Sequence, residues 1–255
     1  MAQPRWSPGM FVWRELSTDG VDEARRFYGE LFGWSWKAEA AGPEGTYWIA
    51  SREGAGVCGV TGKPPGVTLP SAWSSYVLVD GVDAAAARCT AAGGRVLYPP
   101  TDIPGVGRFA VVADPWGAAF EVFRASGSES APPPPTPGTF CWETLVTPDP
   151  PGAAAFYGKV VGHGTGKTPN GEGMVLTAGE GEAVADVQPA RPGTPSRWMT
   201  YVAVESAEAS RDLAARLGGK VLVPRIDVPL VGTIAAVADP AGAALGLFQR
   251  SPRQA

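Results

Sequence analysis

The sequence predicts an α+β fold in which a strand, a helix and about three further strands form one module, with four such modules arranged as two tandem halves. Three observations predict it. The chain repeats itself: Asp114-Pro115-Trp116-Gly117-Ala118-Ala119 recurs as Asp239-Pro240-Ala241-Gly242-Ala243-Ala244, an offset of 125 residues (239 against 114). The same offset pairs Gly93-Gly94 with Gly218-Gly219, Trp73 with Trp198, and Asp102-Ile103-Pro104 with Asp227-Val228-Pro229. Near the start of each half the offset is 129 (142 against 13): Trp13 pairs with Trp142, Phe27-Tyr28-Gly29 with Phe156-Tyr157-Gly158, and Gly33 with Gly162, as shorter loops in the second half would give. Each half also repeats more faintly within itself, since Asp19-Gly20-Val21-Asp22 returns as Asp80-Gly81-Val82-Asp83. Finally, a strand-like run precedes each of these Asp-Gly segments and an alanine- or arginine-rich helical run follows it.

The elements follow in order. The helix Asp22 to Phe32 places Ala24, Phe27, Tyr28 and Leu31 on one face, and Gly33 is positioned to end it. Turn-separated runs at Thr46 to Ser51 and Gly56 to Thr61 read as strands, and Trp73 to Val79 alternates as a strand. The Asp at its end, Asp80, is expected to cap the helix that follows, because its carboxylate can accept from first-turn N–H groups. Gly107 to Ala113 and Ala118 to Arg124 complete the half. We expect domains at 9–124 and 139–250, joined by a linker at 125–138 in which Pro132 to Pro135 form a stiff, extended run.

Composition removes several classes of function. Hydrophobic residues make up 44% of the 255, enough to build cores, and the net charge of −4 comes without a basic stripe, which argues against nucleic acid. Cys58, Cys89 and Cys141 are odd in number and far apart, so neither a disulfide framework nor a CxxC zinc site is expected, in keeping with a cytoplasmic protein. Met1 to Pro8 lacks the apolar core of a signal peptide, and no run of about 18 apolar residues suggests a membrane span.

A strand, an Asp, and a helix carrying Phe-Tyr and ending in Leu-Phe-Gly-Trp (Leu31 to Trp34), closed later by Asp-Pro-x-Gly and a short strand, resembles the vicinal-oxygen-chelate (glyoxalase/bleomycin-resistance/dioxygenase) superfamily. The match runs from about Phe11 to Phe248, in both halves, and the layout is similar to the two-domain branch of high-GC bacteria. The resemblance implies four βαβββ modules forming two tandem glyoxalase-like domains with curled mixed sheets around a cavity. It covers lyases, isomerases, dioxygenases, thiol transferases and drug-sequestering binders, so it does not choose a chemistry. It leaves open whether modules pair within a half or across halves. One chain holds four modules, so a monomer or weak homodimer is expected.

The resemblance also implies metal ligands, His, Gln or Glu, at fixed strand positions. The first, fourteen residues before the helix Phe, is Trp13 or Trp142, and indole has no lone pair for a metal. The second, six residues before the acidic strand end, is Ser74 or Met199. The last, seven residues after the Asp of Asp-Pro, is Glu121 in the first half and Gly246 in the second. A middle-strand ligand would fall near Val57 to Val60 or Val184 to Val187, where Asp186 alone is acidic. A bound metal needs three or more protein donors, so neither a metal nor another cofactor is expected.

Alternation from these positions selects the inward face: Trp13, Glu15 and Ser17; Ser74, Tyr76 and Leu78; Ala119, Glu121 and Phe123; and in the second half Trp142, Thr144 and Val146, Met199, Tyr201 and Ala203, and Ala244, Gly246 and Phe248. Trp13, Ser74, Tyr76, Trp142, Met199 and Tyr201 are the candidate ligand-binding residues, since aromatic faces stack on flat organic molecules; the same rings also serve as ordinary core. Glu15 and Glu121 are the candidate acid/base pair, with Arg14 and Arg108 as candidate partners. His163, the only histidine, reads as a solvated residue of the Gly162 to Gly166 turn, with a proton shuttle at a cavity mouth as the functional alternative. The leading expectation is metal-independent binding of a small hydrophobic or aromatic metabolite or antibiotic in a barrel cavity. The alternatives are a metal-independent isomerase, cyclase or hydroxylation accessory of natural-product metabolism using Glu15 or Glu121, and a protein–protein module that binds no small molecule.

Overall fold

The computed structural model describes residues 6–40, 45–63, 66, 68–127, 134–169, 171 and 173–251. The middle of the expected linker, 128–133, and the first five residues of the N-terminal segment lie outside the described residues.

The first half runs β1 (Phe11–Thr18), α1 (Val21–Phe32), β2 (Ser35–Ala40), β3 (Thr46–Arg52), β4 (Ala55–Gly62), β5 (Ala72–Leu78), α2 (Val82–Ala91), β6 (Arg95–Ile103), β7 (Gly107–Ala113) and β8 (Ala119–Ala125). The second half repeats it as β9 (Phe140–Thr147), α3 (Pro150–Val161), β10 (Gly164–Lys167), β11 (Met174–Ala178), β12 (Glu182–Pro189), β13 (Arg197–Ala203), α4 (Ala207–Arg216), β14 (Lys220–Val228), β15 (Gly232–Ala238) and β16 (Ala244–Arg250). The order is βαβββ four times, and the fold is α+β. Each half contributes one eight-stranded mixed sheet, ordered β2-β3-β4-β1-β5-β8-β7-β6 and β10-β11-β12-β9-β13-β16-β15-β14. Each sheet keeps two edge strands, so the expected closed barrel does not form. No helix among the described residues is long and apolar enough to cross a membrane.

The compact units pair modules across the halves, which the sequence left open. The inner unit comprises 6–12, 75–127 and 143–198, and the outer unit 13–74, 134–142 and 199–251. The inner unit's core is built on Phe156, Tyr157, Val160 and Val161 of α3 with Ala85 and Cys89 of α2 and Phe120 and Val122 of β8. The outer unit's core uses Phe27, Tyr28 and Leu31 of α1, the face the sequence predicts, with Ala207 and Ala214 of α4 and Leu245 and Leu247 of β16.

The repeated motifs turn out to be structural fasteners. In the outer unit the Tyr28 hydroxyl donates to Asp239 Oδ2 at 3.1 Å, Trp73 Nε1 donates to the Tyr28 hydroxyl at 2.9 Å, and Ala243 N donates to Asp239 Oδ1 at 2.9 Å. In the inner unit Tyr157 donates to Asp114 Oδ2 at 3.3 Å, Trp198 Nε1 to Tyr157 at 3.0 Å, and Ala118 N to Asp114 Oδ1 at 2.8 Å. Both aspartates are buried, and burial pushes their carboxyls up, while burial and the neighbouring aspartate push both tyrosines up. The Gly93-Gly94 pair has an equally local cause. Gly93 has φ +89°, and a Cβ on Gly94 would stand 2.5 Å from both Ala113 O and Cys89 Sγ.

Capping follows a different plan from the expected one. Asp80 does not cap α2, whose N-cap is Gly81 with no side-chain bond; Asp80 lies 3.9 Å from Arg124 instead. Side-chain caps come from Asp149 on α3 and Ser206 on α4. Gly33 ends α1 in the left-handed conformation, as predicted.

Candidate functional site

Six of the eight candidate residues, Trp13, Glu15, Ser74, Trp142, Met199 and Tyr201, belong to the outer unit; Tyr76 and Glu121 belong to the inner one. The two candidate acid/base residues therefore sit in different units.

In the outer unit, β1 turns Leu16 into the core and leaves Trp13, Glu15 and Ser17 half-buried on its other face. β4 runs parallel to β1 with Gly59 opposite Glu15, and β3 runs antiparallel to β4. Tyr47 of β3 closes this face. Trp13 Nε1 donates to the Tyr47 hydroxyl at 2.9 Å, and that hydroxyl donates to the Glu15 carboxylate. Burial, then the Glu15 charge, holds the Tyr47 phenol far above its ordinary range, so it remains protonated. The arrangement needs Gly59, because a Cβ there would stand 1.8 Å from the Tyr47 hydroxyl oxygen. Gly246 has the same relation to Tyr201, its register partner: a Cβ would lie 2.1 Å from Tyr201 Cδ1. Tyr201 thus lies over the position where the resemblance expects the second half's last ligand. Arg14, a candidate partner of the carboxylates, places its guanidinium 5.5 Å from the Phe140 ring centroid.

In the inner unit Tyr76 and Glu121 face each other in register across β5 and β8. Both are buried, and Tyr76 packs on Phe109 and Phe123 at 6.2 and 6.0 Å. Arg108 is held by Asp83 and Asp102 at 2.8 to 2.9 Å on the surface. The Thr144 hydroxyl donates to Asp186 Oδ1 at 2.5 Å, fixing the register that the sequence left uncertain, and Gln188 Nε2 donates to Asp186 Oδ2 at 2.7 Å. Ser75 donates to the fully buried Glu143 at 3.1 Å.

Three residues here escape sequence reasoning: Tyr47, Gly59 and Glu143. Tyr47 falls within a predicted strand, but that strand carries no expected ligand position to orient its faces. His163 is the reverse case. It is buried rather than solvated, with Nε2 2.7 Å from Gly9 O and its ring 6.1 Å from those of Phe11 and Tyr157. Burial lowers its imidazole to about 4 against the hydrogen bond to Gly9. A separate surface depression of about 270 Å³, where Glu23, Arg26 and Glu30 of α1 face Leu217 and Pro240, involves none of the candidate residues.

These donors do not fit the divalent metal that the fold implies. Among the described residues no three His, Cys, Asp or Glu side chains group closely enough to hold one. Where ligands would stand, the outer unit has indole at Trp13 and a bare Gly246 covered by an aromatic ring.

Comparison with known proteins agrees with this architecture. The model of the Glyoxalase/Bleomycin resistance protein/Dioxygenase superfamily matches residues 11–122. A Mycobacterium tuberculosis protein named as a glyoxylase, CFP32, is 36% identical over 248 residues, 95% of each chain. The anthracycline biosynthesis protein DnrV of Streptomyces peucetius is 31% identical over 268 residues, 96% of this chain and 94% of its own. The chain therefore belongs to the glyoxalase/bleomycin resistance/dioxygenase superfamily. Among solved structures, the Mn(II)-bound glyoxalase of Novosphingobium aromaticivorans aligns with TM-score 0.66 at 16% identity, covering 96% of this chain and 83% of that one, a likeness of fold.

Proposed function

We propose that the protein binds a planar aromatic small molecule of the natural-product or antibiotic kind, without a metal. The observation that carries this reading is the replacement of metal-ligand positions by aromatic surface: Trp13 stands at one, and the ring of Tyr201 covers Gly246 at another. Such a face holds a flat ring system by stacking and leaves a few polar groups to orient it. Two relatives named for anthracycline biosynthesis, DnrV and DauV, each 31% identical, support polycyclic aromatics as the ligand class.

The test is a titration of two- to four-ring quinones and phenols, followed by quenching of the nine tryptophans, with and without a chelator. Saturable binding that the chelator leaves unchanged supports the reading. Binding that appears only when a divalent metal is added overturns it, and failure to bind any ring system favours a protein–protein module.

A second reading is favoured by the Tyr47–Glu15 hydrogen bond. A carboxylate fixed beside an aromatic binding face is a candidate general base for isomerisation or cyclisation. Conversion of a bound ligand by the native protein, lost in Glu15→Gln or Glu121→Gln, distinguishes this reading from binding alone.

A further inference from the structure

We infer that His163 and Gly9 form a proton-operated latch that holds residues 6–10 on the inner unit, and that Trp34 with Gly138 is the same latch in the outer unit, in a form that cannot titrate.

The two latches occupy equivalent positions in the repeat, at the offset of 129 (163 against 34, 138 against 9). Gly9 and Gly138 share a left-handed backbone, with φ +91° and +90°. Each donates its N–H to the last carbonyl of a strand, Gly9 to Leu78 O at 2.8 Å and Gly138 to Ala203 O at 2.7 Å. Each presents its own carbonyl to an aromatic nitrogen at 2.7 Å, His163 Nε2 for Gly9 and Trp34 Nε1 for Gly138. The surrounding rings repeat as well. Tyr157 stacks on His163 at 6.1 Å and Tyr28 on Trp34 at 5.6 Å, while Phe11 and Phe140 are tilted against them at 6.1 and 5.9 Å.

The chemistry of the nitrogen is what differs. An indole N–H is a donor at every pH. A carbonyl oxygen only accepts, so His163 carries its proton on Nε2 and leaves Nδ1 as a bare lone pair. Nδ1 is buried and meets no hydrogen-bond partner among the described residues. A second proton therefore places a charge and an N–H in an apolar site with no acceptor, and lifting the segment to admit water relieves both. The outer latch has a further hold. Arg52 donates to Phe32 O and passes under Gly138, where a Cβ would stand 2.7 Å from its Nε. By the strand register, Ser35 with Ser51 and Gly164 with Thr177, Ala178 takes the place of Arg52 in the inner unit and offers Gly9 only a methyl.

Few titratable groups surround the imidazole. Ser7 to Phe11 carry none, and Lys159 of α3, Lys167 of β10, Glu180 after β11 and Asp80 after β5 are exposed. Tyr157 stays a protonated phenol bonded to Asp114. Asp114 behind Tyr157 is matched by Asp239 behind Tyr28, so protonation of these two carboxylates affects both latches alike.

The test is residue-resolved hydrogen exchange by NMR on the intact protein at pH 7 and pH 5, corrected for intrinsic rates. It compares the amides of Gly9 and Gly138, with those of β8 reporting global unfolding. The imidazole sits at about 4 when buried and 6.5 when released, so an opening that frees it becomes about twentyfold more frequent over this range. The Gly9 amide is expected to exchange faster than those of β8 and to lose protection about twentyfold, while Gly138 keeps its own. His163→Trp supplies the permanent donor of the outer latch and should abolish the fall. His163→Gln donates at every pH from a smaller side chain and should do the same, even where the indole fits poorly. The imidazole nitrogen spectrum at pH 7 should show the proton on Nε2. Protection at Gly9 equal to that of β8, a fall at Gly9 no larger than at Gly138, a fall that persists in both variants, or a proton on Nδ1 overturns the inference.

Discussion

Lowering the pH from 7 to 5 crosses the ordinary range of a single imidazole, because His163 is the only histidine in the chain. Its imidazole is buried against Phe11 and Tyr157, and burial holds it at about 4 rather than the usual 6.5. A group with a depressed folded value contributes stability that is present above its unfolded value and is lost as the pH falls towards the folded one. The window is therefore about 6.5 to 4. The loss is about 2 kcal/mol at pH 5 and about 3 kcal/mol once both states are protonated. In His163→Phe the ring stacking is retained and this proton linkage is removed, at a baseline loss of about 1 kcal/mol for the hydrogen bond to Gly9. Urea unfolding at pH 7 and pH 5 on both proteins gives the difference of differences, and an NMR titration of the single imidazole gives the folded value directly. An imidazole titrating near 6.5, or equal loss of stability in the two proteins, would refute the burial argument.

Four further substitutions test other contacts of the fold. Gly246→Ala places a methyl 2.1 Å from the Tyr201 ring, so the ring must move; overpacking of this kind destabilises by about 1–3 kcal/mol, read by urea unfolding and by loss of near-UV dichroism. Tyr28→Phe removes the hydroxyl that links Trp73 to Asp239, and Tyr157→Phe the one that links Trp198 to Asp114; each should destabilise by about 1–3 kcal/mol in the same assay. Asp239 has its folded value raised, so its contribution is greatest below the ordinary carboxylate range and is lost as the pH rises through the raised value. Asp239→Asn should therefore gain relative to the native protein as the pH increases from about 4, and a constant difference would contradict this.

The fold was legible because its fasteners are short and repeated. Asp114 and Asp239 must each bond the backbone of their own turn and a helix tyrosine, so Asp-Pro-x-Gly and Phe-Tyr survive as readable words. What those words do not record is that Tyr28 meets the Asp of the other half: local spacing fixes a module, while module pairing depends on contacts distant in sequence. The candidate site was partly legible. Trp13 and Glu15 emerge from strand alternation once a face is fixed. Tyr47 does not, because its role depends on the absence of a side chain at Gly59, and an absence on a neighbouring strand leaves no periodic signal. His163 misled for a related reason: a glycine-rich turn suggests exposure, yet its ring is covered by Phe11 and the N-terminal Gly9. Asp80 misled because strand-end aspartates both cap helices and pair with arginines, and Arg124 lies within reach.

Native mass spectrometry, on protein incubated with Mn(II) and then with a planar polycyclic phenol, tests the central claim most directly. The account predicts retention of one organic ligand per chain with no stoichiometric metal. One tightly held divalent metal per chain, with ligand retained only in its presence, would contradict it.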